Sequence, residues 1–184
     1  MMENLFDLSG KVAVVTGSTK GIGRAIAEQM ARHGADVVIS SRKADACKEV
    51  AEAINADLAG EAGRAVPIPC HIGHKEQLEM LVNETRSQLG KIDILVCNAA
   101  VNPFYGSMMD IPDAAFEKIL DSNVKSNHWL CQLILPEMVE RKDGVVIVIS
   151  SVGGLNGSAV LGTYGISRSE EHTSELQSPD HLVC

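Results

Sequence analysis

The sequence feature that most constrains the fold is an alternation of short apolar runs with longer segments of helical periodicity, from residue 11 to about 150. The apolar runs are rich in valine and isoleucine and have no polar face, which is typical of parallel strands covered by helices on both sides. The helical segments supply the crossovers that parallel strands need, so the pattern predicts an α/β fold with a doubly wound parallel sheet. Strands are predicted at 11–16, 36–40, 65–70, 92–97 and 144–150, and helices near 21–33, 43–60, 74–89 and 113–140.

Charge and hydropathy narrow the possible classes of function. The 184 residues carry a net charge of −8 without a basic run, which argues against binding to nucleic acid or to an anionic membrane. The longest apolar runs, such as 145–149, are much shorter than the roughly 20 residues of a membrane-spanning helix. The first residues lack the basic and apolar regions of a secretory signal. We therefore expect a soluble, cytoplasmic protein with no nucleic-acid or membrane partner.

A glycine-rich turn joins the first predicted strand to the first predicted helix. Gly17, Gly21 and Gly23 lie in this turn, directly after Thr16. Such a turn lets backbone N–H groups and the start of a helix face a pyrophosphate, and side chains at these positions would hold the ligand away. No Gly-Lys-Ser/Thr follows, so the turn is not a phosphate loop of the ATP-binding type. The order of strand, turn and helix predicts a dinucleotide site.

The end of the second predicted strand indicates which dinucleotide is bound. An NAD site has an acidic residue here for the ribose hydroxyls, whereas this chain has Ser41 followed by Arg42. A guanidinium pairs with a 2′-phosphate through two hydrogen bonds, and Lys20 in the glycine turn is a second candidate cation. We therefore predict NADP(H) rather than NAD(H). The alternative is that Arg42 and Lys20 are solvated surface cations.

Several motifs together resemble the short-chain dehydrogenase/reductase family. They are the glycine spacing G-x-x-x-G-x-G after Thr16, Asn98-Ala99-Ala100 after the fourth strand, and Ser151 with Tyr164 thirteen positions later. The resemblance covers residues 5–167, and residues 98–104 look most similar to NADP-dependent retinal and carbonyl reductases. It implies a Rossmann-type fold, a small carbonyl or alcohol substrate, and assembly of the full-length relatives as homodimers or homotetramers.

The resemblance also implies roles for individual residues. Tyr164 would be the general acid/base, Ser151 would hydrogen-bond the substrate oxygen, and Asn123 would hold a water of the proton relay. No metal is implied. The coenzyme would contact Gly17, Ser18, Thr19, Lys20, Gly21, Ile22, Gly23, Ser41, Arg42, His71, Ile72, Asn98, Ala99 and Ala100.

The chain departs from the family pattern at two positions. The family has a lysine four residues after the catalytic tyrosine, where this chain has Arg168. A tyrosine hydroxyl has an ordinary pKa of about 10 and needs a nearby cation to act as a base near neutrality. Arginine supplies the charge but not the compact ammonium donor. The family's aspartate after the third strand, which contacts adenine, is replaced by His71, either a substitute contact or a loop residue.

Residues 168–184 differ in character from the rest of the chain. They show no periodicity and resemble the in-frame translation of a DNA-sequencing adapter. We therefore predict one partial NAD(P)-binding domain over 1–167 and a tail of non-native character over 168–184; a native polar tail is the alternative. A doubly wound dinucleotide fold has six strands. We expect the chain to be truncated, inactive as it stands, and left with 144–150 as an exposed edge strand.

Two other functions are compatible with parts of this pattern. A non-catalytic nucleotide-binding module would need only the strands and the glycine turn, and Arg168 favours it. A methyltransferase-type domain would use the same fold for another ligand, but Ser151 together with Tyr164 argues against that function. The preferred hypothesis is a carbonyl reductase or alcohol dehydrogenase that uses NADP(H).

Overall fold

The computed structural model describes residues 5–58 and 63–169 of the chain. Its strands are β1 (Val12–Thr16), β2 (Asp36–Ser40), β3 (Arg64–Pro67), β4 (Ile94–Cys97) and β5 (Val145–Val148). They form one sheet in the order β3-β2-β1-β4-β5, and every neighbouring pair is parallel. The prediction of a doubly wound parallel sheet is confirmed, with the switch in strand order between β1 and β4.

Helices cover both faces of the sheet. They are α1 (Gly21–Arg32), α2 (Ala44–Leu58), α3 (Lys75–Leu89), α4 (Asp113–Leu120), α5 (Ser126–Arg141) and α6 (Gly162–Ser169). Alternate side chains of β1 enter different cores: Ala13 and Val15 pack with α1 and α2, whereas Val14 packs with α3 and α5. This two-sided burial explains why the strands have no polar face. Within the described residues, no helix combines the length and apolar character needed to cross a bilayer.

The helical segment predicted at 113–140 is present over 113–141, but it contains a π-helical turn that was not predicted. The chain forms α4, then a π-helical turn at Asp121–Lys125, then α5. Within this turn, the Asn123 side chain accepts a hydrogen bond from Val101 N (2.8 Å) and donates one to Val101 O (3.0 Å). The widened turn therefore contains a side chain bound to a distant loop, as is common for π-helical turns at functional sites.

The strand predicted at 65–70 is too long. β3 ends at Pro67, although the next residues still run beside β2: Ile68 N donates to Ile39 O (3.0 Å) and Cys70 N donates to Ser41 O (2.9 Å). β3 is an edge strand, where proline is tolerated because the missing N–H would face away from the sheet. The strands β1, β2, β4 and β5 and the helices α1, α2 and α3 end within about two residues of the predicted bounds, whereas α6 was not predicted.

The helix α6 extends past the predicted domain boundary at residue 167. Arg168 and Ser169, the first two residues of the predicted tail, are its last two residues, and Arg168 is buried. Residues 168 and 169 are therefore helical, and the division into a domain over 1–167 and a tail over 168–184 stays a prediction. The rest of the predicted tail, 170–184, lies outside the described residues.

The strand β5 forms the other edge of the sheet, and no described residue pairs with its outer side. Val146 and Val148 pack against the core with α3 and α5, whereas Val145 and Ile147 on the opposite face are 40% and 38% exposed. An apolar edge strand without charge, proline or a bulge is prone to pair with another chain.

We expect the 184-residue chain to self-associate through β5, and the exchange Ile147→Lys to shift it toward the monomer. A lysine on an edge strand opposes pairing because its charge would be desolvated. Size-exclusion chromatography measures the shift, and Gln29→Lys, which adds the same charge on the exposed side of α1, is the matched control. A sharp wild-type monomer peak that also reduces a carbonyl substrate would contradict the expectation.

Candidate functional site

The glycine turn forms a cradle at the carboxyl end of β1. Gly17 and Gly21 have φ values of +66° and +57°, which L side chains rarely adopt. A Cβ on Gly23 would collide with the Asn98 amide nitrogen and lie 2.6 Å from Gly17 O. The helix α1 begins at Gly21, and no side chain caps its N-terminus. The cradle therefore has backbone N–H groups at an uncapped helix start, which suits a pyrophosphate.

The segment after β4 is bonded directly to this cradle. The Asn98 side chain donates to Thr16 O (2.8 Å) and to Gly17 O (3.2 Å). In return, the Thr16 hydroxyl oxygen accepts from Asn98 N and Ala99 N, both at 3.0 Å. The next residue, Ala100, is exposed at the mouth of the crevice. Asn98 and Thr16 thus fix the two strand ends on either side of the switch in strand order.

The other predicted residues of the turn point in different directions. Ser18 is buried, where its hydroxyl donates to Val15 O (2.7 Å) and accepts from Ser40 N (2.8 Å). Its side chain therefore joins β1 to β2 and does not face a ligand. Thr19 is half-buried, and the side chains of Lys20 and Ile22 are exposed.

Within the described residues, Arg42 and Lys43 follow β2 as exposed cations without an ion pair. Ser41 is half-buried, with its Oγ accepting from Lys43 N (3.4 Å) and lying 3.3 Å from the buried Cys47 sulfur. Arg42 is exposed, and within 5–58 and 63–169 its guanidinium makes no ion pair or hydrogen bond. Arg42 is thus available to bind an anionic ligand at the end of β2.

His71 and Ile72 follow β3 on the same side of the sheet. His71 N donates to Gln77 Oε1 (2.8 Å), and the His71 ring lies 4.6 Å from the His74 ring between centroids. Burial lowers the pKa of the His71 imidazole, and the neighbouring charges of His74 and Arg42 lower it further. Ile72 packs against the core formed with α3 and α5. His71 therefore lies close enough to Arg42 for the guanidinium charge to act on it.

Ser151 and Tyr164 both lie next to Gly153. Ser151 follows β5 and caps a short 3₁₀ helix, Val152–Gly154, by accepting from Gly153 N at 3.1 Å. Tyr164 lies in the first turn of α6. A Cβ on Gly153 would be 3.4 Å from Ser151 Oγ and 3.7 Å from Cε1 of the Tyr164 ring. Both side chains predicted to be catalytic thus lie beside Gly153.

Asn123 connects the loop after β4 to the helix of Tyr164. It is buried, and besides its two bonds to Val101 its amide donates to Ser167 Oγ (3.0 Å). Ser167 Oγ in turn donates to Tyr164 O (2.8 Å). The backbone carbonyl of Asn123 accepts from the Asn127 side-chain amide (2.9 Å). The side chain of Asn123 is therefore occupied by protein atoms and positions Tyr164 indirectly.

Arg168 lies one turn after Tyr164. Its guanidinium carbon is 5.7 Å from the centroid of the Tyr164 ring, and Nη1 donates to Ile149 O (3.2 Å). The Arg168 carbonyl accepts from Ser150 Oγ (3.0 Å). The position that holds lysine in the family pattern therefore holds a buried cation that also ties α6 to the end of β5.

Gly153 and Ser167 were not predicted as site residues. Gly153 separates Ser151 from Tyr164, and Ser167 links Asn123 to the Tyr164 turn. The spacing of Ser167, three residues after Tyr164 on one helix, was the available signal. The described residues contain no group of three or more His, Cys, Asp or Glu side chains that could hold a metal ion.

Comparison with known proteins places these features in a family context. A family model described as short chain dehydrogenase matches residues 11–169. The chain is 43% identical over 161 residues to dehydrogenase/reductase SDR family member 4 of Oryctolagus cuniculus, covering 88% of this chain and 60% of that protein. It is 44% identical over 161 residues to the mitochondrial dehydrogenase/reductase SDR family member 2 of Homo sapiens, covering 88% of this chain and 56% of that protein.

Solved structures give the same result. A short-chain type dehydrogenase/reductase from Mycobacterium marinum superposes with a TM-score of 0.83 at 34% identity, covering 92% of this chain and 68% of that one. A 7α-hydroxysteroid dehydrogenase in complex with NADH and 7-oxo glycochenodeoxycholic acid superposes with a TM-score of 0.83 at 36% identity. The match covers 90% of this chain and 62% of that one. The chain spans 56–60% of the length of the curated relatives that it matches.

Proposed function

This chain belongs to the short-chain dehydrogenase family of oxidoreductases, and from that premise we propose that the protein transfers hydride between NADP(H) and a carbonyl or alcohol substrate. The observation that carries the proposal is that Ser151 and Tyr164 both lie beside Gly153. The glycine turn after β1 supports it, because its backbone is left open for a dinucleotide. When bound, the nicotinamide supplies the hydride. Coenzyme binding, substrate orientation and proton transfer are assigned to residues of the chain.

The residues of the cradle fit a dinucleotide. The positive φ values of Gly17 and Gly21, together with the uncapped start of α1, leave a concave backbone surface for the pyrophosphate. Asn98 and Thr16 fix this surface against β4. The coenzyme is expected to lie across the carboxyl ends of the strands at the switch between β1 and β4, as in other open α/β sheets.

The choice of NADP(H) rests on the end of β2. Arg42 is an exposed cation without a protein partner in the described part of the chain, and no carboxylate occupies the position of Ser41. A 2′-phosphate would bind such a guanidinium through charge-assisted hydrogen bonds, with Lys20 as a second cation. The hydroxysteroid dehydrogenase was solved with NADH, so the comparisons do not favour NADP(H), and the preference is argued from Ser41 and Arg42.

The proton chemistry is assigned to the two side chains around Gly153. Ser151 Oγ already accepts from Gly153 N, so its own hydrogen remains available to donate to the substrate oxygen. In the direction of reduction, the Tyr164 hydroxyl gives its proton to that oxygen as negative charge develops there; in oxidation it takes the proton back. The Arg168 guanidinium supplies a fixed positive charge beside the Tyr164 ring.

A catalytically inactive nucleotide-binding module is the second candidate. Arg168 favours it, because this residue is buried and bonded to Ile149 O where the family pattern has a lysine ammonium. Such a module would bind NADP(H) without any turnover of carbonyl substrates. Assembly as a homodimer or homotetramer and a cytoplasmic location stay predictions; the human relative is named as mitochondrial.

We expect the wild-type protein to prefer NADP(H), and the double exchange Ser41→Asp with Arg42→Ala to invert the preference. A carboxylate repels the 2′-phosphate and accepts from a ribose hydroxyl, while the guanidinium contact is lost. Hydrogen bonds to charged groups contribute about 1.5–3 kcal/mol, so each coenzyme should change by roughly 10- to 100-fold. Binding titrations and steady-state kinetics with both coenzymes measure the ratio.

The matched control for this exchange is Lys43→Ala, which removes the neighbouring exposed cation. It should leave the coenzyme ratio within about threefold of the wild type, because an exposed charge without a well-formed direct contact contributes little. A wild-type preference for NADH would falsify the NADP assignment. Coenzyme binding without turnover of any carbonyl substrate would favour the inactive module.

A further inference from the structure

The two edges of the sheet differ in the backbone groups that they present to another strand. In a parallel sheet, every second residue of an edge strand directs its N–H and C=O toward the neighbouring strand, and the residues between direct both groups outward. A further strand can add to an edge only where outward donors and acceptors are both free. The outward groups of β3 and β5 therefore decide where another chain can bind.

Two prolines remove the outward donors at the end of β3. Ile68 N and Cys70 N donate to carbonyl groups on the β2 side of the strand, at 3.0 and 2.9 Å. By alternation, Pro67 and Pro69 face away from β2. Proline has no N–H, so these two positions present carbonyl oxygens only. A strand that approached here would find acceptors without the matching donors.

Asn55 of α2 occupies the other outward groups of β3. Ala65 N donates to Asn55 Oδ1 at 2.7 Å, and Asn55 Nδ2 donates to Ala65 O at 2.9 Å. The side-chain amide thus pairs with the strand as a neighbouring backbone would. Between residues 64 and 70, no outward N–H of this edge is left for a further strand.

The outer edge of β5 is open. Val145 N donates to Asp93 O (2.9 Å) and Ile149 N donates to the end of β4 (3.0 Å), so these residues face β4. By alternation, Val146 and Val148 direct their N–H and C=O groups outward. No described residue bonds to these outward groups. Two donors and two acceptors are thus available on a strand that contains no charge, proline or bulge.

The outward groups of β5 are complementary to those of a second copy. When two β5 strands lie antiparallel around a two-fold axis beside Ile147, Val146 of each copy faces Val148 of the other. Each of these facing pairs exchanges two hydrogen bonds, so every outward N–H and C=O of both valines is used. The two Ile147 residues face each other between them, as a pair without hydrogen bonds. Such a two-fold pairing uses the same surface on both copies and is closed.

The side chains of β5 favour the same partner. Val145 and Ile147 are 40% and 38% exposed, on the face opposite to α3 and α5. The two-fold pairing places Ile147 beside Ile147 and Val145 beside Ile149 of the other copy. Each copy therefore covers apolar side chains of the other, and no charge in β5 opposes the contact.

We propose that the outer edge of β5 binds a second copy of this chain, antiparallel and with Ile147 on the two-fold axis, and that assembly stops at two copies because the edge at β3 is closed. The pair forms one continuous sheet from two five-stranded sheets, with a β3 strand at each end. It gives the self-association expected of β5 a register and an upper limit. The proposal does not depend on coenzyme binding or catalysis.

Cysteine cross-linking tests the register. Facing residues of a pair without hydrogen bonds have Cα atoms about 4.5 Å apart, which suits a disulfide. In the 184-residue chain with Cys184→Ser, diamide accepts the two thiol hydrogens, and Ile147→Cys is expected to give about tenfold more disulfide-linked dimer than Val145→Cys. Val145→Cys is the matched control, because it has the same face and similar exposure. Its two copies would lie four residues apart along the strands, about 14 Å, beyond the reach of a disulfide.

Three results of this experiment would overturn the proposed register. Equal cross-linking of the two cysteine variants would mean a parallel or shifted pairing. Cross-linking of Ile147→Cys no greater than that of the Cys184→Ser parent, in a chain that elutes as a dimer, would place the contact elsewhere. A wild-type chain that elutes as a monomer would show that β5 binds no second copy.

The exchange of both β3 prolines tests the upper limit of assembly. Pro67→Thr with Pro69→Thr gives this edge two outward N–H groups beside two carbonyls, as on β5. Both prolines are exposed, so the core keeps its packing. Light scattering is expected to show a wild-type dimer, and species of more than two copies that grow with concentration in the double variant.

The matched control for the double variant is Pro112→Thr, at the N-cap of α4, where threonine is favoured. This control should stay dimeric. Asn55→Ala frees the outward groups of Ala65 and is expected to act in the same direction as the proline exchange, which keeps the test decisive where the double variant does not fold. A folded double variant that stays dimeric, or a dimeric Asn55→Ala in its place, would overturn the proposed limit.

Discussion

The exchange Tyr164→Phe is expected to lower kcat by about 10²–10⁴-fold and to leave the dissociation constant of the coenzyme within about twofold. The exchange removes only the hydroxyl that moves the proton, and the ring keeps its place between Gly153 and the Arg168 guanidinium. The reaction is followed as the loss of NADPH absorbance during reduction of a ketone at saturating concentration. It is measured in a full-length form of the protein whose wild type is active. Coenzyme binding is measured separately by titration.

The chain offers a matched control for this exchange. Its second tyrosine, Tyr105, is exposed, and Tyr105→Phe should leave kcat within about twofold. Ser151→Ala removes the donor to the substrate oxygen and should cost about 10²–10³-fold in kcat, the range found for other donors to a developing oxyanion. A Tyr164→Phe protein with a near-normal rate would sink the proposed mechanism.

The exchange Gly23→Ala is expected to destabilise the fold by about 2–4 kcal/mol and to weaken coenzyme binding more than about tenfold. The new Cβ would collide with the Asn98 amide nitrogen and lie 2.6 Å from Gly17 O. Asn98 must then leave its two bonds to Thr16 O and Gly17 O. Urea unfolding and coenzyme titration measure the two losses.

Gly157→Ala is the control for this second exchange. Gly157 is exposed, and a Cβ there would meet no atom within 4 Å. The control should change the free energy of unfolding by less than about 0.5 kcal/mol. If Gly23→Ala bound the coenzyme as tightly as the control, the cradle formed by Gly17, Gly23 and Asn98 would not be the pyrophosphate site.

The sheet was predictable because its central strands are buried on both faces and therefore consist of apolar residues. β1 and β2 are almost wholly buried, so their valine and isoleucine runs mark them within about one residue. The π-helical turn was not predictable, since it depends on bonds between Asn123 and Val101, which are distant in the sequence. A local pattern contains no information on such a contact.

Within the candidate site, the motifs identified positions but not the direction of each side chain. Ser18 belongs to the glycine turn, yet its hydroxyl points inward because Ser40 N and Val15 O are its partners. Arg168 was assigned to a tail because the residues after it lack periodicity, whereas it lies in the last turn of α6 and donates to Ile149 O.

The single amide of Asn123 has a mechanical consequence for the site. It is bonded at once to Val101, in the loop after β4, and to Ser167, one turn from Tyr164. If the loop at Val101 is displaced, the hydrogen bond from Asn123 to Ser167 in α6 is strained as well. A rotation of α6 acts on the loop through the same side chain. We therefore expect the loop at Val101 and the helix that carries Tyr164 to shift together, so that a ligand that displaces the loop also changes the position of Tyr164.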